Sequence, residues 1–171
     1  SKVQAMSAVT SQAMISAIQK TGSIAHDVGI SMDELLGYIA AITEKTQQSG
    51  EVTGNALKTM FERLLRSDSI RKLEAIEPLK GITFKNIRTG ELEKAGVILS
   101  QIAGKWKDLT DIERKNIGEV IAGGRQINTF TALMSNFDSA VKLSGESLNS
   151  FGFAQQQNQT EMQKFSKNAQ I

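Results

Sequence analysis

Leu57, Met60, Phe61 and Leu64 recur at i, i+3, i+4 and i+7 within the segment 49–66, SGEVTGNALKTMFERLLR, while Glu51, Lys58 and Glu62 fall off that stripe. This spacing lines four large apolar groups along one side of a 3.6-residue helix. The segment predicts a central packed helix. Gly50 and Gly54 stand at its start, where glycine tolerates tight chain reversal and close helix approach.

The same periodicity predicts short helices on either side. Residues 3–26 place Val3, Met6, Val9, Ala13, Ala17 and Ile18 on a face of small residues. Such a face needs a neighbouring helix, because isolated helices are marginal in water. Gly29-Ile30-Ser31 ends that run, and Ser31 with Glu34 makes an S-x-x-E capping box. The next helix presents Met32, Leu35, Leu36, Ile39 and Thr43, stops near Gly50, and forms an antiparallel hairpin with the central helix. A short helix over 69–76 ends at Pro78. Residues 79–90, LKGITFKNIRTG, alternate Ile82 and Phe84 and offer Asn86 as a turn residue, so they suit a loop or one very short β-hairpin near 81–90.

From Glu91 the helical stripe resumes through Leu92, Ala95, Leu99 and Ile102 to the sole tryptophan, Trp106, which reads as an anchor. Thr110 and Glu113 supply a second capping box, with Ile112, Ile117, Val120 and Ile121 as the buried side of the helix that follows. Gly123-Gly124 reads as a left-handed helix end and a sharp corner. Beyond it a helix over 125–134 turns Ile127, Phe130 and Leu133 inward, stops at Asn136, and is followed by a last helical run from Asp138. There Phe151, Ala154, Asn158, Met162, Phe165 and Ala169 form a narrow seam through a glutamine-rich stretch. Such a seam either rests on the bundle or pairs with a partner helix, including another copy of the chain.

The expected fold is therefore all-α: a bundle of short helices with glycine corners over 1–135, and a C-terminal helical segment over 136–171. The structural positions singled out are Gly50, Gly54, Leu57, Met60, Phe61, Leu64, Trp106, Gly123 and Gly124.

Composition narrows the reading. Hydrophobic residues make up 40% and charged residues 22% of 171, the ordinary range for a soluble protein and enough to bury a core. The net charge of +2 comes from scattered lysines and arginines, which points away from nucleic acid and anionic membranes as partners of this region. No apolar run approaches the roughly 20 residues that span a bilayer. Cysteine is absent, so disulfides and thiolate metal sites are excluded. The chain opens on Ser1 without a basic-then-apolar leader, and is expected to be a piece of something longer.

Candidate chemistry is sparse, and no catalytic, cofactor-binding or metal-binding residue is assigned. His26 is the only histidine, so a two-histidine metal site or a histidine-assisted nucleophile cannot be assembled. GEVIAGGR at 118–125 lacks both the G-K-[ST] ending and the preceding strand of a phosphate-binding loop. Gly145-Glu146-Ser147, followed by GFAQ at 152–155, resembles the signatures of lytic transglycosylases, where one buried glutamate protonates the glycosidic oxygen. The two motifs are too closely spaced for that family, and Glu146 sits among polar residues.

Over roughly residues 25–165 the order of features resembles the tape measure proteins of long-tailed phages and prophages. The pieces that carry it are GISMDELLGYIAAITEKTQQSG, then EVTGNALKTMFERLLR, then a glycine-bearing polar loop, then LSQIAGKWKDLTDIERKNIGEVIAGGRQINTFTALMSN, then FDSAVKLSGESLNSFGFAQQQNQTEMQKF. The resemblance implies a structural module, not an enzyme, that helps set tail length and scaffolds tube assembly from within the tube lumen. Its implied partners are the tail tube protein, tail tip proteins and tail assembly chaperones, with membrane contact confined to ejection. The rival expectation is a lytic transglycosylase-like or other helical effector module, or a helical adaptor unrelated to tails.

Overall fold

The computed structural model describes residues 11–144, and over them the chain is an all-α multi-helix bundle without a strand. The helices are α1 Ser11–Asp27, α2 Met32–Thr46, α3 Gly50–Leu64, α4 Ser67–Glu74, α5 Ala95–Lys105, α6 Asp111–Ile121, α7 Gly123–Ser135 and α8 Phe137–Leu143. Single 3-10 turns lie at Glu77–Leu79 and Trp106–Asp108. Val3, Met6 and Val9, the Glu146 motif and the seam over 151–169 lie outside the described residues.

Local chemistry sets several helix ends. Gly29 adopts φ +75°, its N–H donates to the His26 carbonyl, and the Ile30 N–H donates to the Ala25 carbonyl. These two bonds satisfy carbonyls that the end of α1 would otherwise leave unpaired. At the start of α2 the Glu34 N–H donates to Ser31 Oγ (3.2 Å) and the Ser31 N–H donates to Glu34 Oε1 (3.0 Å), so the predicted capping box is complete. The same reciprocal pair forms at α6, from Glu113 N–H to Thr110 Oγ1 (3.2 Å) and from Thr110 N–H to Glu113 Oε1 (2.8 Å).

The helix most enclosed by its neighbours is α2, where every residue from Leu35 to Thr43 is buried. It packs against α1, α3, α7 and α8. The segment expected to be central, α3, packs on α1, α2, α4, α6 and α7 and buries Leu57, Met60, Phe61 and Leu64 on one stripe, while Glu51, Lys58 and Glu62 face solvent. A helix with neighbours on all sides has no polar face, so its position is hidden from a periodicity argument.

Two local expectations change. Residues 91–93 do not begin α5. They pair back on 84–86, with the Asn86 N–H donating to the Glu91 carbonyl (2.8 Å) and the Glu93 N–H to the Phe84 carbonyl (2.9 Å), which leaves one isolated antiparallel bridge, Lys85 to Leu92. Ile112 is 73% exposed rather than buried. It lies five residues before Ile117, roughly 140° around the helix at 100° per residue, and so faces away from the core stripe. The left-handed end expected at the corner of α6 and α7 is present, formed by Gly123 at φ +76°.

Candidate functional site

What the bundle offers is close packing and one long furrow with a mixed apolar and polar lining. The tightest packing is between α1 and α3. A β-carbon on Gly50 would collide with the Ala13 carbonyl oxygen, and one on Gly54 would stand 2.9 Å from the Ala17 Cα. Two small residues four apart on each helix thus let the backbones approach closely. The chain reversal between α2 and α3 is made elsewhere, by Gln47 at φ 56°, whose N–H donates to the Thr43 carbonyl (2.8 Å). Gly50 and Gly54 are therefore seats for α1 rather than hinges.

A second seat is Gly37, in the middle of α2. A β-carbon there would strike the Ala140 carbonyl of α8. The Asn136 side-chain amide secures the same crossing, donating to the Ala41 carbonyl (2.9 Å) and to Glu44 Oε1 (3.1 Å). At the third corner the Arg63 guanidinium lies against Gly123 and donates to the Glu119 carbonyl (3.3 Å), placing a positive charge at the negative end of the α6 dipole.

Trp106 is 4% exposed and meets Phe130 edge to face, with centroids 5.5 Å apart. The Arg114 guanidinium lies 5.6 Å from the indole centroid, and its Nε donates to the Trp106 carbonyl (2.9 Å). The tryptophan thus ties the turn after α5 to α6 and α7.

The furrow runs between α5 on one side and α7 with α8 on the other. It consists of two adjoining cavities of about 470 and 530 Å³ that share Ser100, Phe137 and Val141. Gly96 and Val97 line one end, Trp106 and Arg114 the other. Val97 (42% exposed) and Val141 (59% exposed) leave apolar surface open to it. Tyr38 forms part of its wall, 3% exposed, with its ring centroid 5.6 Å from that of Phe137. Among the described residues nothing forms a hydrogen bond with the Tyr38 hydroxyl. Burial, and after it the Glu34 carboxylate, push this phenol well above its ordinary value.

Sequence reasoning did not single out Tyr38. The available signal was the sole tyrosine inside the apolar run GYIAAI, where a hydroxyl is out of place unless it meets a partner.

His26 is exposed on the last turn of α1, and its carbonyl accepts from Gly29. Among the described residues no group of three or more His, Asp or Glu side chains is placed to hold a metal ion. No helix among them is long and apolar enough to cross a membrane.

The described residues thus form an all-α bundle built on glycine-seated crossings, with an open furrow beside Tyr38. Residues 1–123 match the family of phage-related minor tail proteins, and since that is well over half of the chain, the chain belongs to this family. No solved structure matches it.

Proposed function

We propose that the chain is a helical module of a tape measure protein, one that helps set tail length and scaffolds assembly of the tail tube. The observation that carries this reading is membership of the minor tail family over residues 1–123, to which the ordered motifs of α2, α3 and α5 to α7 add the finer assignment. In this reading the chain resides in the tube lumen of the virion, and in the host cytoplasm during assembly. It contacts the tail tube protein, tail tip proteins and tail assembly chaperones through packing surfaces and performs no catalysis. In this reading the division of the module falls after residue 135, with α8 packed on α2 at the start of the C-terminal segment 136–171.

The fold gives this reading a quantitative form. As one unbroken helix, 171 residues would reach roughly 260 Å at 1.5 Å per residue. The longest described helix, α1, has 17 residues and spans only roughly 26 Å. The module therefore occupies tube length as a folded bundle and not as an extended rod. In-frame removal of residues 11–144 from the full-length gene is expected to shorten tails by one uniform step, smaller than 1.5 Å per deleted residue. In-frame duplication of the same residues lengthens tails by the same step. Tail length unchanged under electron microscopy in both variants overturns the reading.

A further inference from the structure

The furrow has one end at the place where the described chain ends. Ser144 lines it together with Glu34 and Gly96, and Val97 and Val141 present open apolar surface a short way along. Tyr38 adds a second observation: its buried hydroxyl has no hydrogen-bond partner among the described residues, a costly state for a polar group, and it borders the open cavity. Immediately beyond Ser144 the sequence GESLNS, rich in turn-forming residues, leads into the seam Phe151, Ala154, Asn158, Met162, Phe165 and Ala169.

We propose that the segment 151–169 of the same chain docks in this furrow as a helix, with its seam against Val97 and Val141 and a polar side chain brought to the Tyr38 hydroxyl. The wall formed by α5 and the 3-10 turn after it, residues 95–108, measures roughly 22 Å. The residues from Phe151 to Phe165 would measure roughly 22 Å as a helix, which matches that wall and leaves Ala169 one turn beyond it, and residues 145–150 reach up to roughly 20 Å, enough to turn the chain back. A seam only one or two residues wide suits a slot between two helices, since a single flat face would need a broader stripe. The assignment stands independently of the tape measure reading.

The chain contains no cysteine, so introduced thiols report cover directly. In the full chain, the thiols of Val97→Cys and Val141→Cys are expected to react with a maleimide about tenfold more slowly than that of Ile112→Cys, an exposed position outside the furrow. Adding Met162→Asp and Phe165→Asp restores fast labelling at both furrow positions, with helix content of the bundle retained by circular dichroism. The protection is independent of protein concentration. Equal labelling at all three positions overturns the proposal, as does protection that survives the two aspartates. Protection that grows with protein concentration assigns the furrow to a second copy of the chain and overturns it as well.

Discussion

Gly54 and Ala17 face each other across the α1–α3 crossing so closely that a β-carbon on Gly54 would stand 2.9 Å from the Ala17 Cα and 3.0 Å from its carbonyl oxygen. Both obstacles are backbone, which cannot rotate out of the way. Gly54→Ala is therefore expected to destabilise the chain by about 1–3 kcal/mol, the usual range for overpacking a tight contact. Gly104→Ala is the control. It lies within α5 with nothing within 4 Å of an added β-carbon, and should stabilise by about 0.5–1 kcal/mol through helix propensity alone. Urea unfolding of the two variants reads the difference in sign.

Gly123 and Arg63 form a coupled pair. Gly123→Ala meets a left-handed backbone cost of about 1–2 kcal/mol and also displaces the guanidinium, whose Nη2 would lie 2.8 Å from the new β-carbon. Arg63→Ala alone removes one exposed hydrogen bond to the Glu119 carbonyl, a loss of about 0.5–1.5 kcal/mol. The double variant is expected to fall short of the sum, because the displacement of Arg63 is then counted only once. Strict additivity in a denaturant double-mutant cycle would refute the coupling.

Asn136 distinguishes shape from hydrogen bonding at the α2–α8 crossing. Asn136→Asp keeps the shape but replaces the amide donor with a carboxylate facing the Ala41 carbonyl and the Glu44 carboxylate. At neutral pH it should be less stable than Asn136→Ala. The new carboxyl is harder to ionise folded than unfolded, so its penalty is absent below the ordinary aspartate value near 4, grows as pH rises past it, and is full only above the raised value of the folded chain. Thermal melts of the two variants across pH should converge on the acid side.

Tyr38 is the only tyrosine, so tyrosinate absorbance reports it without overlap. Burial first and Glu34 second raise this phenol in the folded chain, whereas in the unfolded chain it ionises near 10. The sign follows from linkage: the group's contribution to stability is full below about pH 10 and is lost as pH rises above it, because the unfolded chain then releases the proton first. The expected titration shows no tyrosinate near pH 10, and the signal appears only as the helical circular dichroism collapses. A reversible step near 10 with the fold intact would place the hydroxyl in water.

Both capping boxes were legible from residue types alone, because Ser31 with Glu34 and Thr110 with Glu113 act within one helical turn and need nothing from the rest of the chain. The stripe of α3 was legible for a related reason. Leu57, Met60, Phe61 and Leu64 contrast with charged residues on the other side, and contrast is what periodicity detects. Ile112 and Leu92 were misplaced because each lies at an element boundary, where one turn of phase or one backbone pairing decides its surroundings. The furrow left no periodic mark at all, since Tyr38, Val97 and Val141 come from three different helices.

The order of apolar and polar residues thus settled that this chain is helical, where α2 and α6 are capped, and which residues of α3 face inward, since all three depend on interactions within a few residues. That α2 and not α3 is buried all round from Leu35 to Thr43, that the close approach at Gly50 and Gly54 is to Ala13 and Ala17, and that a furrow opens beside Tyr38 emerged only from packing in three dimensions. Each depends on which distant helix arrives as a neighbour, and that follows from how all the apolar faces are buried together.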